Sequence, residues 1–282
     1  MIHVRPIWTG YLTFGLVTIP VKLYPATEEK DVHFRLLHLS CGTPIKNIRY
    51  CPACDREVPW DEVVRGYEFA RGRFVTLTQE ELASIPLENA GAVNILSFAD
   101  LGEIDPIYFD KSYYLSPNEG GAKAYLLLQE ALRDTRKVAI GKLTLREKEH
   151  LVAIRPYKQG LLLSTLYYSD EIRDINQIPE MAVEATVHPN ERKMAIQLIE
   201  GLSEPFRPEN YADQYREALL QMIRSKAEGL KVPAREAKPP EKVVDLMEAL
   251  RRSLEQARRS REVTKVPRQS STKAGALRER HR

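Results

Sequence analysis

Apolar and polar residues alternate along most of the first 170 residues, and this period of two restricts that part of the chain to β-structure. β-Branched and aromatic residues recur in TGYLTFGLVTIPVKLYPAT, where we expect breaks between strands at Gly10, Gly15 and Pro20. The segment GYEFARGRFVTLT predicts a hairpin that turns at residues 70–72, because glycine tolerates a positive φ. DPIYFDKSYYL and LVAIRPYKQGLLLSTLYY continue the pattern, and the second is expected to turn at residues 158–160.

Other segments have the period of a helix. AKAYLLLQEALRDT predicts an amphipathic helix packed on the strands, because its apolar residues recur at helical spacing: Ala124, Leu127, Leu128, Ala131 and Leu132. PNERKMAIQLIEGL and PENYADQYREALLQMIRSKAEG predict two more helices, ended by Gly201 and Gly229. The sequence therefore predicts an α+β protein with a β-rich core over residues 1–188 and a helical arm over residues 189–230.

The C-terminal part begins with a linker and a helix. Residues 231–242, KVPAREAKPPEK, have the proline- and charge-rich composition of a linker. Residues 243–258 predict a helix with one apolar face, formed by Val243, Leu246, Met247, Leu250 and Leu254. Beyond a linker this apolar stripe needs a cover, so it either folds back on the body of the protein or docks a partner.

The end of the chain is strongly basic. Residues 257–282 carry a net charge of +7, which leaves −4 for the rest of a chain whose total is +3. Because few large apolar residues are present, we expect residues 259–282 to be disordered when free. A basic tail on a weakly acidic body suggests a polyanionic partner, with a merely solubilising tail as the alternative.

All three cysteines lie in one short stretch, HLSCGTPIKNIRYCPAC. The spacing His38-x2-Cys41-x9-Cys51-x2-Cys54 predicts a structural zinc site with three thiolate ligands and one imidazole. A catalytic zinc deaminase does not fit, because Ser40 stands where its glutamate is needed and no proline precedes Cys51. Three reduced thiols in a loop are the remaining alternative, since clustered cysteines in odd number are poor disulfide candidates.

Motifs of catalysis are missing from the sequence. It has no phosphate-binding loop, no dinucleotide-binding glycine motif, no nucleophile elbow and no H-E-x-x-H. We therefore expect a protein that is not an enzyme. The N-terminal residues do not have the pattern of a signal peptide, and no apolar run approaches the length of a membrane span, so we expect a cytoplasmic protein.

Several ordered blocks resemble the prokaryotic Ku proteins of DNA double-strand-break repair. They include RPIWTGYLTFGLVTIPVKLYPATEEKDVHFRLLH, RGYEFARGRFVTLTQEEL, EIDPIYFDKSYYLSP, KVAIGKLTLREKEHLVAIRP and YREALLQMIRSKAEG, which run in order from about residue 5 to 230. DLMEALRRSLEQARR is similar to the C-terminal helix of that family. The resemblance implies a β-barrel core with a projecting arm, and a homodimeric ring that loads on double-stranded DNA ends in non-homologous end joining. It also implies recruitment and stimulation of the ATP-dependent ligase D. The apolar stripe of residues 243–258 makes this helix the expected docking site for that ligase.

A ring that accepts any end must contact phosphates, which carry no sequence information, so lysine and arginine are the expected DNA ligands. The matching blocks supply Arg35 on the strand before the cysteines, Arg65, Arg71 and Arg73 around the hairpin, and Lys142, Arg146 and Lys148. Position alone adds Lys46 and Arg49 in the cysteine loop, and the basic tail adds Arg258, Arg259, Arg261 and Arg268.

The sequence is also compatible in part with two other classes of protein. A zinc-ribbon transcriptional regulator would bind one sequence on closed and linear DNA alike. A nuclease or deaminase would need a catalytic carboxylate or an open metal position, and the sequence offers no such motif.

Overall fold

The computed structural model describes residues 4–85, 91–146, 148–181, 185–230 and 246–264. The chain forms two compact units, Met1–Ile178 and Pro179–Arg282. The border expected at residue 188 thus lies within the second unit.

The first unit contains all of the strands that the structure describes. In chain order they are β1 (Trp8–Phe14), β2 (Val17–Pro25), β3 (Tyr50–Cys51), β4 (Arg56–Glu57), β5 (Arg65–Ala70), β6 (Arg73–Leu77), β7 (Ala92–Asp100), β8 (Phe109–Pro117), β9 (Lys137–Leu145), β10 (Lys148–Tyr157) and β11 (Gly160–Leu166). Seven strands close a barrel in the order β1-β2-β8-β11-β10-β9-β7, and the parallel pair β1–β7 completes the ring. The predicted barrel core in an α+β protein is confirmed.

The barrel interior is the hydrophobic core of this unit. Side chains alternate across each strand, so every second residue points inward. The largest fully buried side chains are all aliphatic: Leu12, Ile19, Val21, Leu23, Val93, Leu143, Val152, Ile154, Leu161 and Leu163. The strands β3–β4 and β5–β6 instead form two separate two-stranded sheets outside the barrel.

Two of the expected strand breaks are wrong. Gly15, with φ of +58°, makes the turn between β1 and β2, but Gly10 lies within β1 and Pro20 within β2. A glycine is needed at position 10 because the backbone of Gly91 lies very close to it. A Cβ atom there would lie 2.3 Å from the carbonyl oxygen of Gly91. The carbonyl of Pro20 accepts a hydrogen bond from the amide of Asn118 at 2.8 Å, so the strand keeps a partner despite the missing N–H.

Helix α2 (Ala122–Thr135) packs against the barrel strands β2, β9 and β10; the short helix α1 (Gln79–Ala83) precedes it in the chain. The bounds of α2 match the prediction, and its buried face matches in part, since Leu128 and Leu132 are buried as predicted. The buried residues are Tyr125, Leu128, Gln129 and Leu132, whereas Leu127 is 62% exposed. Tyr125 and Gln129 are buried because their polar ends bond to the barrel backbone, which a count of apolar residues does not detect.

The second unit contains three α-helices in its described part: α3 (Pro189–Leu202), α4 (Gln214–Ala227) and α5 (Leu246–Thr264). Helix α3 covers the predicted segment, but Gly201 lies within its last turn and does not end it. Helix α4 begins later than expected, because the Asp213 carboxylate caps it by accepting the amide of Arg216 at 2.9 Å. It ends before Gly229, whose φ is +76°.

Helix α5 packs on α3 and runs beyond residue 258, where the sequence predicted its end. Residues 259–264, which we expected to be disordered, are therefore helical. No helix in the described parts of the chain is long and apolar enough to cross a membrane.

Candidate nucleic-acid interface and cysteine loop

The first half of the cysteine loop is a tight turn. The amide of Gly42 donates to the carbonyl of His38 at 2.8 Å, and the amide of His38 donates to the carbonyl of Thr43 at 2.9 Å. Gly42 has φ of +67°, which suits a glycine at this position. The turn brings the Nδ1 atom of His38 within 3.1 Å of the Cys41 Sγ atom.

The second half is the β3–β4 hairpin, which brings Cys51 and Cys54 together. Hydrogen bonds from the backbone and side chain of Cys54 lower the pKa of the Cys51 thiol. The same contact raises the pKa of the Cys54 thiol, because its proton is held by the neighbouring sulfur.

The four predicted zinc ligands thus lie in two pairs, His38 with Cys41 and Cys51 with Cys54. Across residues 4–85 and the other described segments, no three His, Cys, Asp or Glu side chains are gathered closely enough to hold a metal ion. The joint four-ligand site therefore stays a prediction.

Three predicted DNA ligands lie on the β5–β6 hairpin. Arg65 begins β5, and Arg71 lies in the two-residue turn with Gly72, whose φ is +72°. The Gly72 amide donates to the Glu68 carboxylate at 2.7 Å, which fixes the turn. The Arg73 guanidinium lies 4.9 Å from the centre of the Phe69 ring. Every residue of this hairpin up to 76 is exposed, so the hairpin presents its cations to solvent.

Three others lie along the cysteine loop. Arg35 is exposed but not on a strand, contrary to expectation, because the described backbone around it forms a single β-bridge, between Leu37 and Pro44. Lys46 is also exposed. The guanidinium of Arg49 stacks on the Trp60 ring at 4.1 Å, which orients its cation.

The last three predicted ligands of the core lie on β9, β10 and their turn. Lys142 pairs with Glu149 at 2.8 Å, and Lys148 pairs with Glu171 at 3.0 Å. Arg146 is exposed in the turn, with φ of +54°. Each lysine would thus have to leave its carboxylate partner, or contact the carboxylate and a phosphate together, in order to bind DNA.

Arg146 and Lys148 line a cleft of about 840 Å³ together with Lys111 and His150, which the sequence did not identify. The pairing of β8, β11 and β10 brings these residues together, and no spacing in the sequence predicts that they are neighbours. Burial lowers the pKa of His150, and the nearby charge of Lys148 adds to the effect. Carboxylates also line the cleft, among them Asp110, so its charge is mixed.

The C-terminal candidates are only partly described. Arg258, Arg259 and Arg261 lie on α5, where the structure describes their backbone alone, and Arg268 lies outside the described residues altogether. Of the predicted stripe, Val243 also lies outside them, and only the backbone of Leu246 is described. Met247, Leu250 and Leu254 are half-buried.

Comparison with known proteins covers nearly the whole chain. The family model of the Ku70/Ku80 β-barrel domain matches residues 13–195. The protein named "Non-homologous end joining protein Ku" from Symbiobacterium thermophilum is 50% identical over 91% of this chain and 64% of its own length. The protein of that name from Heliobacterium modesticaldum is 46% identical over 94% of this chain and 96% of its own, and that from Bacillus subtilis is 41% identical over 98% and 90%. The chain spans less than two thirds of the first of these relatives.

Proposed function

The chain belongs to the Ku family, and from this membership we propose that it binds double-stranded DNA ends, without regard to sequence, in repair by non-homologous end joining. The observation that carries the proposal is that relatives which bear the name of that process are 46% and 41% identical to this chain over nearly its full length. The closed barrel agrees with it. The protein acts by binding and recruitment, in the cytoplasm and at the nucleoid, without catalysis of its own.

The proposed active form is a homodimeric ring. Its support is the β5–β6 hairpin, which pairs only with itself among the described strands. Isolated two-stranded hairpins are marginally stable in water. This one nevertheless exposes large rings, with Tyr67 at 66% and Phe74 at 63% accessibility. Tyr67 faces Val75 and Phe74 faces Glu68 in the register, so rings lie on both faces of the hairpin. A second copy of the chain that packs on these faces would supply the missing burial.

Binding without sequence preference would come from phosphate contacts. The exposed cations of the hairpin, of the cysteine loop and of the β9–β10 turn are the proposed ligands. Each cation that neutralises a phosphate releases counterions, so affinity should fall steeply as salt rises.

Topology provides the test of threading. A closed ring cannot pass over a covalently closed circle, so linear DNA should compete strongly for the protein and closed circular DNA of the same sequence only weakly. A gel-shift competition measures both on one labelled duplex. Equal competition by the two forms would contradict threading and favour a regulator that binds internal sites.

We also propose one structural zinc ion held by His38, Cys41, Cys51 and Cys54. Three thiolates and an imidazole are a donor set that suits zinc, and each pair already lies within one turn or hairpin. When bound, the ion would join the two pairs and close the loop.

Recruitment and stimulation of ligase D is the last part of the proposal. Helix α5 packs on α3, so its stripe is partly covered within the second unit. Leu250 and Leu254 remain only half-buried, which leaves apolar surface for a partner at the edge of the helix pair.

A further inference from the structure

A stacked pair of tyrosine rings, one exposed and one half-buried, lies beside the β10–β11 turn. The rings of Tyr114 and Tyr157 are stacked, with centroids 6.2 Å apart and planes at 22°. Tyr114 is 43% exposed. The rings border a cleft of about 570 Å³ between the end of β8, the start of α2 and the β10–β11 turn. This cleft lies in the barrel unit and contains none of the predicted DNA ligands.

Two cations accompany the rings. The guanidinium of Arg155 lies 5.5 Å from the centre of the Tyr157 ring, and the Nζ atom of Lys158 lies 5.4 Å from the same centre. In the part of the chain that the structure describes, neither cation is paired with a carboxylate, and no carboxylate lines the cleft. Lys158 lines the cleft and Arg155 lies against Tyr157 at its border, so the cleft is aromatic and carries positive charge.

A stripe along α2 fixes the turn that carries Lys158. The Arg133 guanidinium donates to the carbonyl of Lys158 at 3.0 Å, and the Gln129 amide donates to the carbonyl of Gly160 at 3.1 Å. One turn earlier, the Tyr125 hydroxyl accepts the amide of Leu161 at 2.8 Å. These contacts hold the turn in place before any ligand arrives.

The backbone of Lys158 is strained. Its φ is +49°, in the left-handed region that glycine or asparagine adopts at lower cost. Residues other than glycine in this region cluster where function requires a particular side chain. The turn thus presents a lysine where the backbone alone favours a different residue.

We propose that this cleft binds the unpaired nucleotides of a single-stranded overhang at a DNA end. Bases would stack on Tyr114 and Tyr157, and phosphates would contact Arg155 and Lys158, as in proteins that bind single strands through aromatic platforms and cations. The inference rests on the proposed function, which brings DNA ends to the protein. A proline-rich peptide also suits a tyrosine-lined groove, but it would make no use of two unpaired cations.

The experiment compares one duplex with blunt ends and the same duplex with a single-stranded thymidine overhang, by fluorescence anisotropy with the full chain. The wild type should bind the overhang form at least about fivefold more tightly, the effect of stacking one base. Tyr114→Ala and Lys158→Gln should each reduce this preference and leave blunt-end affinity unchanged. Tyr157→Phe should retain it, because the ring remains. Tyr11→Ala, which removes another exposed ring of the barrel, is the matched control.

A 2-aminopurine base in the overhang gives a second readout. Its fluorescence should be quenched on binding to the wild type and recover in Tyr114→Ala. Equal affinity of the wild type for both duplexes, or an overhang preference that survives Tyr114→Ala and Lys158→Gln, would overturn the inference. So would variants that keep the preference but lose ligase stimulation, because the cleft would then be a peptide site. Failure to bind blunt duplex, with overhang binding retained, would instead contradict the proposed function and support this inference.

Discussion

The hydroxyl of Tyr125 is the most informative single group to remove from the barrel unit. It donates to the carbonyl of Leu115 at 2.6 Å and accepts the amide of Leu161 at 2.8 Å. All three residues are buried. Tyr125→Phe keeps the ring and its packing but leaves a buried donor and a buried acceptor without this partner.

The expected cost follows from those two groups. A buried polar group left unsatisfied costs about 1–3 kcal/mol, so the loss of both bonds should reduce the free energy of unfolding by about 2–6 kcal/mol. For a domain of this size each kcal/mol corresponds to a shift of about 2–4 °C in Tm. The expected fall in Tm is therefore about 4–24 °C.

Thermal unfolding followed by circular dichroism measures this change. Tyr11→Phe is the matched control, because it removes a hydroxyl from a tyrosine that is 53% exposed. A second readout is the dependence on pH. Burial raises the pKa of Tyr125, so the unfolded chain loses this proton first as pH rises. The resulting loss of stability begins above about pH 10, the ordinary tyrosine pKa, and Tyr125→Phe should lack its share of that loss.

The reasoning would be refuted by a Tm of Tyr125→Phe equal to that of Tyr11→Phe. Such a result would mean that the amide of Leu161 and the carbonyl of Leu115 find other partners at no cost. α2 would then hold the β10–β11 turn mainly through packing.

Three further predictions concern the proposed metal, DNA and partner sites. Metal-replete protein should contain about one zinc per chain by elemental analysis, less in Cys51→Ser and at acid pH, since thiolates must be deprotonated; zinc well below one per chain in the wild type would contradict the site. Arg146→Glu or Lys148→Glu should weaken binding to all DNA sequences about equally and lower the salt slope by about 0.9 for each phosphate that is no longer neutralised; a change confined to one sequence would argue for base recognition instead. Leu250→Glu should reduce stimulation of ligase D in a nick-sealing assay and leave DNA affinity unchanged, and full stimulation would exclude this helix face.

Periodicity predicted the bounds of α2 from sequence but only part of the face that it buries, namely Leu128 and Leu132. The predicted face differs because tyrosine and glutamine were not counted with the apolar residues. Tyr125 buries its ring and bonds through its hydroxyl, and Gln129 bonds through its amide. Leu127 is left to line an apolar cleft of about 480 Å³ with Phe14 and Phe98. Which helix residues are buried depends on the strand residues that they contact, and these are distant in sequence.

The same limit applies to the candidate DNA ligands. The sequence identified Lys142 and Lys148 as cations, but not their carboxylate partners. Lys148 meets Glu171 only because the chain returns past β10 after β11. The cleft residues Lys111 and His150 were missed for the same reason. The hairpin turn at Gly72, by contrast, was predictable, because its cause is local.

The residues whose backbone conformation is unusual for their type lie mostly outside the barrel interior. Asp55, Arg136, Arg146 and Lys158 all have positive φ without being glycine. Arg136 ends α2, which accounts for it as a helix cap. Asp55 lies in the hairpin that joins Cys51 to Cys54, Arg146 in the proposed phosphate-binding turn and Lys158 beside the tyrosine pair. A barrel closed around an aliphatic core gains stability enough to hold such turns. Apart from the helix cap, the strained turns therefore coincide with the surfaces proposed to bind metal, duplex and overhang. This is expected if each strained backbone places a side chain where it can contact a ligand.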